Sequence, residues 1–251
     1  MSPRLDGRVV LVTGGGKRVG AAVARAMGAV GATVAVHHHG SASGAKEVRD
    51  AIVAAGGVAE TFAADLGSAE ACGGLIDAVL ARFGRLDHLI ASAAIFERTP
   101  LAEMSVEAWD RTMAINVRAP ALLAQRAAPA LRAAGGSIVI VTCTSATTPY
   151  PNFLPYVVSK GAAKQLMRSL ALELAPEVRV NAVAPGTVLP PEHMDAREKQ
   201  VLAERTLLQR LGSAEDVAEA VLYLVGARFV TGVEILVDGG VAMAGRPSGE
   251  G

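Results

Sequence analysis

Aromatic residues are scarce in this chain: one Trp, three Tyr and five Phe in 251 residues, or 4% of the sequence. A core with so few large rings must be filled by Ala, Val and Leu, which suits a close-packed parallel sheet covered by helices on both faces. Net charge is missing too, since 24 Lys and Arg balance 24 Asp and Glu. That balance excludes the basic footprint expected of a nucleic-acid binder or of a protein held on an anionic membrane. Cys72 and Cys143 are the only cysteines, too few for a disulfide framework, and both are expected to be free thiols. No apolar run reaches the length of a membrane span, and the opening MSPRLDGRVVLVTG lacks an apolar leader, so the expectation is a soluble cytoplasmic protein. Linkers, repeats and low-complexity blocks are absent, which predicts a single domain over 1–251, with 245–251 as a frayed tail.

What the sequence does contain is a regular alternation. Arg8–Thr13 is a β-branched apolar run that ends at glycines, and helical spacing follows from Val19 to Val30. Further strands are predicted at Ala32–His38, Val58–Ala64, Leu86–Ser92, Ser137–Thr142, Arg179–Ala184 and Glu234–Val237. Helices are predicted between them, including a long stretch over Val106–Ala134 that Pro120 and Pro129 should kink or bound. Strands alternating with helices specify right-handed βαβ units. The fold class is therefore α/β, a Rossmann-type doubly wound parallel sheet of about seven strands. Residues 186–210 are polar and contain proline, as a substrate lid would.

In such a sheet, ligands sit beyond the carboxyl ends of the strands. Gly14, Gly15, Gly16 and Gly20 of TGGGKRVG lie at the first strand-to-helix turn, where backbone can approach a pyrophosphate and the helix N-terminus favours its charge. After the second strand the chain reads His37-His38-His39-Gly40-Ser41, without the acid that would bind adenosine ribose hydroxyls. Arg18 in the turn, with His38, His39 and Ser41, suits a 2′-phosphate, so NADP(H) is expected rather than NAD(H). Consecutive strand residues face opposite ways, so the three histidines do not make a metal site. Asp65, followed by Leu66, stands at a strand end, where it would border an adenine or cap the next helix.

Tyr156 and Lys160, in YVVSK, are four apart and share one helix face. A phenol titrating near its ordinary pKa of ~10 is a poor acid at neutral pH, and an ammonium held beside it would lower that value. The phenol would then protonate a C=O or C=N group while hydride reaches carbon. Asn116 falls in a helical stretch where a buried amide would hold a relay water, and Pro185-Gly186 ends a strand where backbone would meet the cofactor's carboxamide.

TGGGKRVG, Asp65-Leu66, Asn116, YVVSK, RVNAVAPG and FVTGVEILVDGG, in this order, resemble the short-chain dehydrogenase/reductase family over nearly the whole chain. The resemblance implies Tyr156, Lys160, Asn116 and Cys143 as catalytic residues. It implies cofactor contacts at Gly14, Lys17, Arg18, Val19, Gly20, His38, His39, Ser41, Asp65, Leu66, Ser92, Ala93, Thr142, Pro185, Gly186 and Val188, besides Tyr156 and Lys160. It also implies a homotetramer. Arg18 in place of a middle glycine, together with HHHGS, looks like the pteridine reductase branch, which reduces pterins or folates with NADPH. There Arg18, Phe96, Cys143 and Tyr156 would line the substrate site, with Phe96 stacking the pterin. The chain departs from that branch in three ways. Cys143 stands thirteen before Tyr156, where an acid or serine is usual; Ala91-Ser92-Ala93 replaces Asn-Asn-Ala; and Gly40 replaces an arginine. A general carbonyl reductase and a nucleotide-binding protein with decayed catalysis are the rival readings.

Overall fold

Seven strands form one parallel sheet, and its order is what creates a binding crevice. In the computed structural model, which describes residues 3–188 and 194–244, these are β1 (Val9–Thr13), β2 (Thr33–His38), β3 (Val58–Ala63), β4 (His88–Ala91), β5 (Ser137–Val141), β6 (Arg179–Pro185) and β7 (Glu234–Val237). Their spatial order is β3-β2-β1-β4-β5-β6-β7, every pairing parallel. Between them run α1 (Arg18–Ala29), α2 (Ala42–Ala54), α3 (Ala69–Phe83), α4 (Val106–Met113), α5 (Ala119–Ala134), α6 (Leu154–Leu174), α7 (Ala196–Glu204) and α8 (Ala214–Gly226), with a short α9 (Val241–Ala244) after β7.

Strand alternation sorts side chains into two cores. Leu11, Leu89 and Ile138 face α3, α5 and α6, while Val10, Val12 and Ile90 face α1 and α8. Both faces are covered, so the strands are continuous apolar runs. Each fully buried Leu or Ile contributes about 1.5–3 kcal/mol. Ser68 and Ser105 cap α3 and α4 through their hydroxyls, and Gly84 and Gly135 end α3 and α5 in the left-handed conformation.

The long stretch over Val106–Ala134 differs from the expectation of a kinked helix. It is helical throughout, but Ala114–Arg118 widens into a single π-turn between α4 and α5. Pro120, which has no N–H to return to the Asn116 carbonyl, accounts for the widening. The fourth strand is shorter than predicted, and the 186–210 stretch holds α7, opened by an Asp195–Glu198 capping box. Positions 189–193 of that lid and the 245–251 tail lie outside the described residues.

At the amino ends of the strands, Asp87 is fully buried and accepts from Arg8, Arg85 and the Val9 N–H. Burial alone would raise its carboxyl, but these hydrogen bonds outweigh it and hold the group below the usual carboxylate range. Beside it, buried His88 bonds Ser137 Oγ at 2.9 Å, and burial lowers its imidazole to about 4. Among the described residues no helix is long and apolar enough to cross a membrane.

Candidate active site

Strand order reverses between β1 and β4, so a crevice opens at their carboxyl ends. The glycine turn fills one side of it. Gly14 has φ +65°, and a Cβ there would stand 3.0 Å from Ala93 Cα. A Cβ on Gly20 would lie 2.2 Å from the Gly14 carbonyl oxygen, and one on Gly16 would press on Ser41 Oγ and Ala45 N at 2.9 Å. These contacts draw β1, α1 and α2 together around the turn. Exposed Lys17 stands at the N-cap of α1, whose first turn has neither an acid nor a side-chain cap. Exposed Arg18 begins that helix at φ +50°, a left-handed conformation that a non-glycine residue adopts at some strain. Val19 packs partly against the core and Gly20 is buried.

His37 ties the turn to the next two strands. It is 2% exposed; the Gly14 N–H donates to its Nδ1 at 3.1 Å, and its Nε2–H donates to the Ala64 carbonyl at 3.1 Å. Burial lowers its pKa to about 4, so the bridging ring is neutral. The alternation that puts Ala35 inside also puts His37 inside, a signal available in the sequence. His38 is half-buried and His39 exposed, its Nδ1 3.8 Å from Asp65 Oδ1. Ser41 occupies the N-cap of α2 without using its hydroxyl as a cap. Asp65 accepts from Gly67 N at 2.8 Å, whereas Ser68 caps α3, so Asp65 is not the cap of that helix. Leu66 buries its side chain in the core, which leaves only backbone to face a ligand. On the β4 side, Thr13 Oγ1 accepts from Ser92 N at 3.0 Å and Ala93 N at 3.1 Å, bracing the segment where Asn-Asn-Ala was expected.

Tyr156 and Lys160 come from the first turns of α6 and meet in the interior. Lys160 is 4% exposed; its Nζ donates to the Val141 carbonyl at 2.9 Å and lies over the Tyr156 ring, 5.5 Å from the centroid. Burial lowers the ammonium to about 8. The expected lowering of the Tyr156 phenol is not found. Burial is the main cause that pushes it well above its ordinary range, with the neighbouring Cys143 adding to the rise. The cation touches the ring face and a carbonyl, so in the protein alone the phenol is held protonated. Cys143 is among the neighbours that raise both the Tyr156 and the Tyr150 phenols, and its Sγ accepts from Ser145 N at 3.4 Å.

Asn116 also departs from expectation. Its Oδ1 accepts from Ile95 N at 2.8 Å, and its Nδ2 donates to Ile95 O at 3.0 Å and Ser159 Oγ at 2.9 Å. Both amide protons are therefore taken, and the residue locks the segment after β4 to α6. Phe96 stacks on Phe153, with centroids 4.7 Å apart and planes 5° apart, so one of its faces is covered by protein. Thr142 does not offer its hydroxyl to the crevice, because the hydroxyl is engaged with Val183 O at 3.1 Å and Glu234 Oε1 at 2.7 Å. Pro185 ends β6, Gly186 N donates to Val237 O at 2.9 Å, and Val188 is buried. Thr13, His37, Tyr150, Phe153 and the Lys164–Glu234 pair, 2.7 Å apart, were not singled out in the sequence. Only the fold gives them neighbours.

The residues present fit a dinucleotide. The glycine cradle would be filled by any Cβ, the helix end above it is basic, and a protonated phenol stands across the crevice. Gly14, Lys17, Arg18 and Ser41 would hold its phosphates, with Asp65 near the base. Among the described residues, no group of three or more His, Cys, Asp or Glu could hold a metal. A family model described as enoyl-(acyl carrier protein) reductase matches residues 16–242. The chain is 35% identical to 3beta-hydroxysteroid dehydrogenase 1 of Eggerthella lenta, over 95% of each chain. It is 36% identical to a Comamonas cyclopentanol dehydrogenase, over 94% of this chain and 98% of that one. A short-chain dehydrogenase from Burkholderia cenocepacia, crystallised in complex with NADP, superposes with a TM-score of 0.89 at 34% identity, covering 95% of this chain and 99% of that one. With a family model spanning most of the chain and relatives above 30% identity covering 94–95% of it, the chain belongs to the short-chain dehydrogenase/reductase family and is an oxidoreductase.

Proposed function

We propose that the protein interconverts a ketone and a secondary alcohol with NADP(H). A bound nicotinamide supplies or accepts the hydride. Tyr156 Oη gives its proton to the carbonyl oxygen during reduction and takes one back during oxidation. The observation that carries this reading is the Tyr156–Lys160 pair, with Lys160 Nζ 5.5 Å from the Tyr156 ring centroid and bonded to the Val141 carbonyl at the carboxyl end of β5. A phenol raised in this way is a weak acid in the protein alone, so the Lys160 cation and the bound cofactor would have to offset burial for its proton to move at neutral pH. Arg18, Ser41 and the lack of an acid after β2 support NADP(H) over NAD(H). The relatives named for a steroid and for cyclopentanol support a ring ketone as substrate.

A pterin is the second reading, favoured by Arg18 at the glycine turn. Against it stand Cys143, which is not an acid, and Phe96, one face of which is already taken by Phe153. Steady-state turnover of cyclopentanone and of dihydrobiopterin with NADPH separates the two. The first reading expects ketone reduction that Tyr156→Phe lowers by about a hundredfold or more while NADPH still binds. Pterin turnover without ketone turnover would reverse the order, and full activity in Tyr156→Phe would remove both. A cytoplasmic homotetramer belongs to the same proposal; exposed Leu172 on α6 and Leu236 on the edge strand β7 suit it, and light scattering gives the assembly size.

A further inference from the structure

One turn beyond Lys160 on α6, Lys164 enters an ion pair to which the ketone chemistry assigns no proton. Its partner is Glu234, the first residue of β7, whose side chain is only 7% exposed. Glu234 Oε2 lies 2.7 Å from Lys164 Nζ, and Glu234 Oε1 accepts from Thr142 Oγ1 at 2.7 Å. Lys164 Nζ also donates to Thr147 Oγ1 at 3.0 Å. Thr142 and Thr147 bound the segment after β5 that carries Cys143. Inside that segment, Cys143 Sγ accepts from Ser145 N at 3.4 Å, Ala146 N donates to Cys143 O at 2.9 Å, and Thr147 N donates to Thr144 O at 3.0 Å. The segment is thus a compact turn with both ends tied to one carboxylate, directly at Thr142 and through Lys164 at Thr147.

The same helix face holds the catalytic pair, because residues four apart are neighbours on a helix. Lys160 Nζ bonds the Val141 carbonyl at 2.9 Å, and the next residue, Thr142, bonds Glu234. Adjacent residues at the end of β5 are therefore clamped by adjacent turns of α6, the second clamp passing through Glu234. A buried ion pair adds little net stability over an apolar pair of the same size. What it supplies is direction, since each carboxylate oxygen takes one donor and charge-assisted bonds are short and strong. Resting on the ketone reading above, we propose that Glu234 is a positioning residue for that reaction: through Thr142 and Lys164 it fixes the 142–147 turn against α6, and so sets where Tyr156 and Lys160 stand relative to the substrate carbonyl.

The test is steady-state reduction of cyclopentanone with NADPH by the wild type, Lys164→Met, Lys164→Arg and the double variant Glu234→Met/Lys164→Met, with rates taken per NADPH-binding chain. Lys164→Met leaves a buried carboxylate without its cation and should lower both Tm and kcat. The double variant removes the carboxylate too, so Tm should return towards that of the wild type. Its kcat should stay down by about tenfold or more with KM for NADPH unchanged, since a misplacement of about 1 Å is enough for such a loss. Lys164→Arg, which can bond Glu234 and Thr147 alike, should keep most of kcat. If kcat returns together with Tm in the double variant, the pair is structural only and the proposal falls. Full kcat in Lys164→Met, or a Lys164→Arg no better than Lys164→Met, would overturn it as well. A second measurement needs neither substrate nor the double variant. Cys72 is fully buried, so alkylation by iodoacetamide reports Cys143 in the turn. Its rate should rise several-fold in Lys164→Met and in Thr142→Val, which loses the hydroxyl bonded to Glu234, and stay near the wild-type rate in Lys164→Arg; equal rates in all four proteins also overturn the proposal. A wild type that reduces no ketone would remove the underlying reading instead, and the alkylation rates would still decide whether Glu234 holds the turn.

Discussion

Lowering the pH from 8 to 5 should remove a large part of this protein's stability, and two histidines should account for most of the loss. His37 and His88 are buried and held neutral, each lowered from 6.5 to about 4 by burial. Unfolded, each imidazole takes up a proton as pH falls through 6.5; folded, it does not until about 4. The unfolded state therefore binds more protons between those values, and stability falls with pH across that window. It is fully present above 6.5 and lost by about 4. Integrating the two titrations gives a loss of about 2 kcal/mol per histidine by pH 5, or about 4 kcal/mol for the pair. Against a total of roughly 5–15 kcal/mol that is a large share. Asp87 titrates elsewhere: its carboxyl is lowered from 3.8, so its contribution is present above that value and lost only as pH falls through the folded pKa. Urea denaturation at pH 8, 7, 6 and 5 measures the loss. His37→Gln is the informative variant, since the amide can accept from Gly14 N and donate to Ala64 O without titrating. It should roughly halve the pH slope, and adding His88→Gln should nearly flatten it. An unfolding free energy that is level from pH 8 to 5 in the wild type, or a slope untouched by His37→Gln, would refute the reasoning.

Two substitutions probe the backbone of the site. Gly20→Ala puts a Cβ 2.2 Å from the Gly14 carbonyl oxygen; it should abolish NADPH binding by fluorescence titration and lower Tm by several degrees, about 2–4 °C for each kcal/mol of strain. Gly40→Ala, with nothing within 4 Å of its Cβ, should leave both unchanged. Asn116→Ala leaves the Ile95 N–H and C=O without their side-chain partner, while the Ser159 hydroxyl keeps its bond to the Tyr156 carbonyl. Buried groups orphaned in this way cost about 1–3 kcal/mol, so the urea midpoint should drop; an unmoved midpoint would show that water replaces the amide.

Apolar runs ended by glycine specify parallel strands covered on both faces, and those runs gave the α/β class, the seven strands and the glycine turn directly. The spacing of Tyr156 and Lys160 is enough by itself to put them on one helix face. These features are local: each depends on residues within one or two turns of chain, which periodicity and turn chemistry describe. The sequence could not fix the charge state of the Tyr156 phenol. That depends on how deeply α6 sinks beside β5, where burial is the main cause that raises the phenol. Nor could it link Thr142 to Glu234 or close the Asn116 amide onto Ile95. These partners are separated by 92 and 21 positions and meet only because the fold brings the end of β5 near the start of β7 and lays the segment after β4 against the turn that holds Asn116. Local pattern names the groups that do chemistry, whereas their protonation and aim are set by desolvation and contact across the sheet, which only the tertiary structure decides.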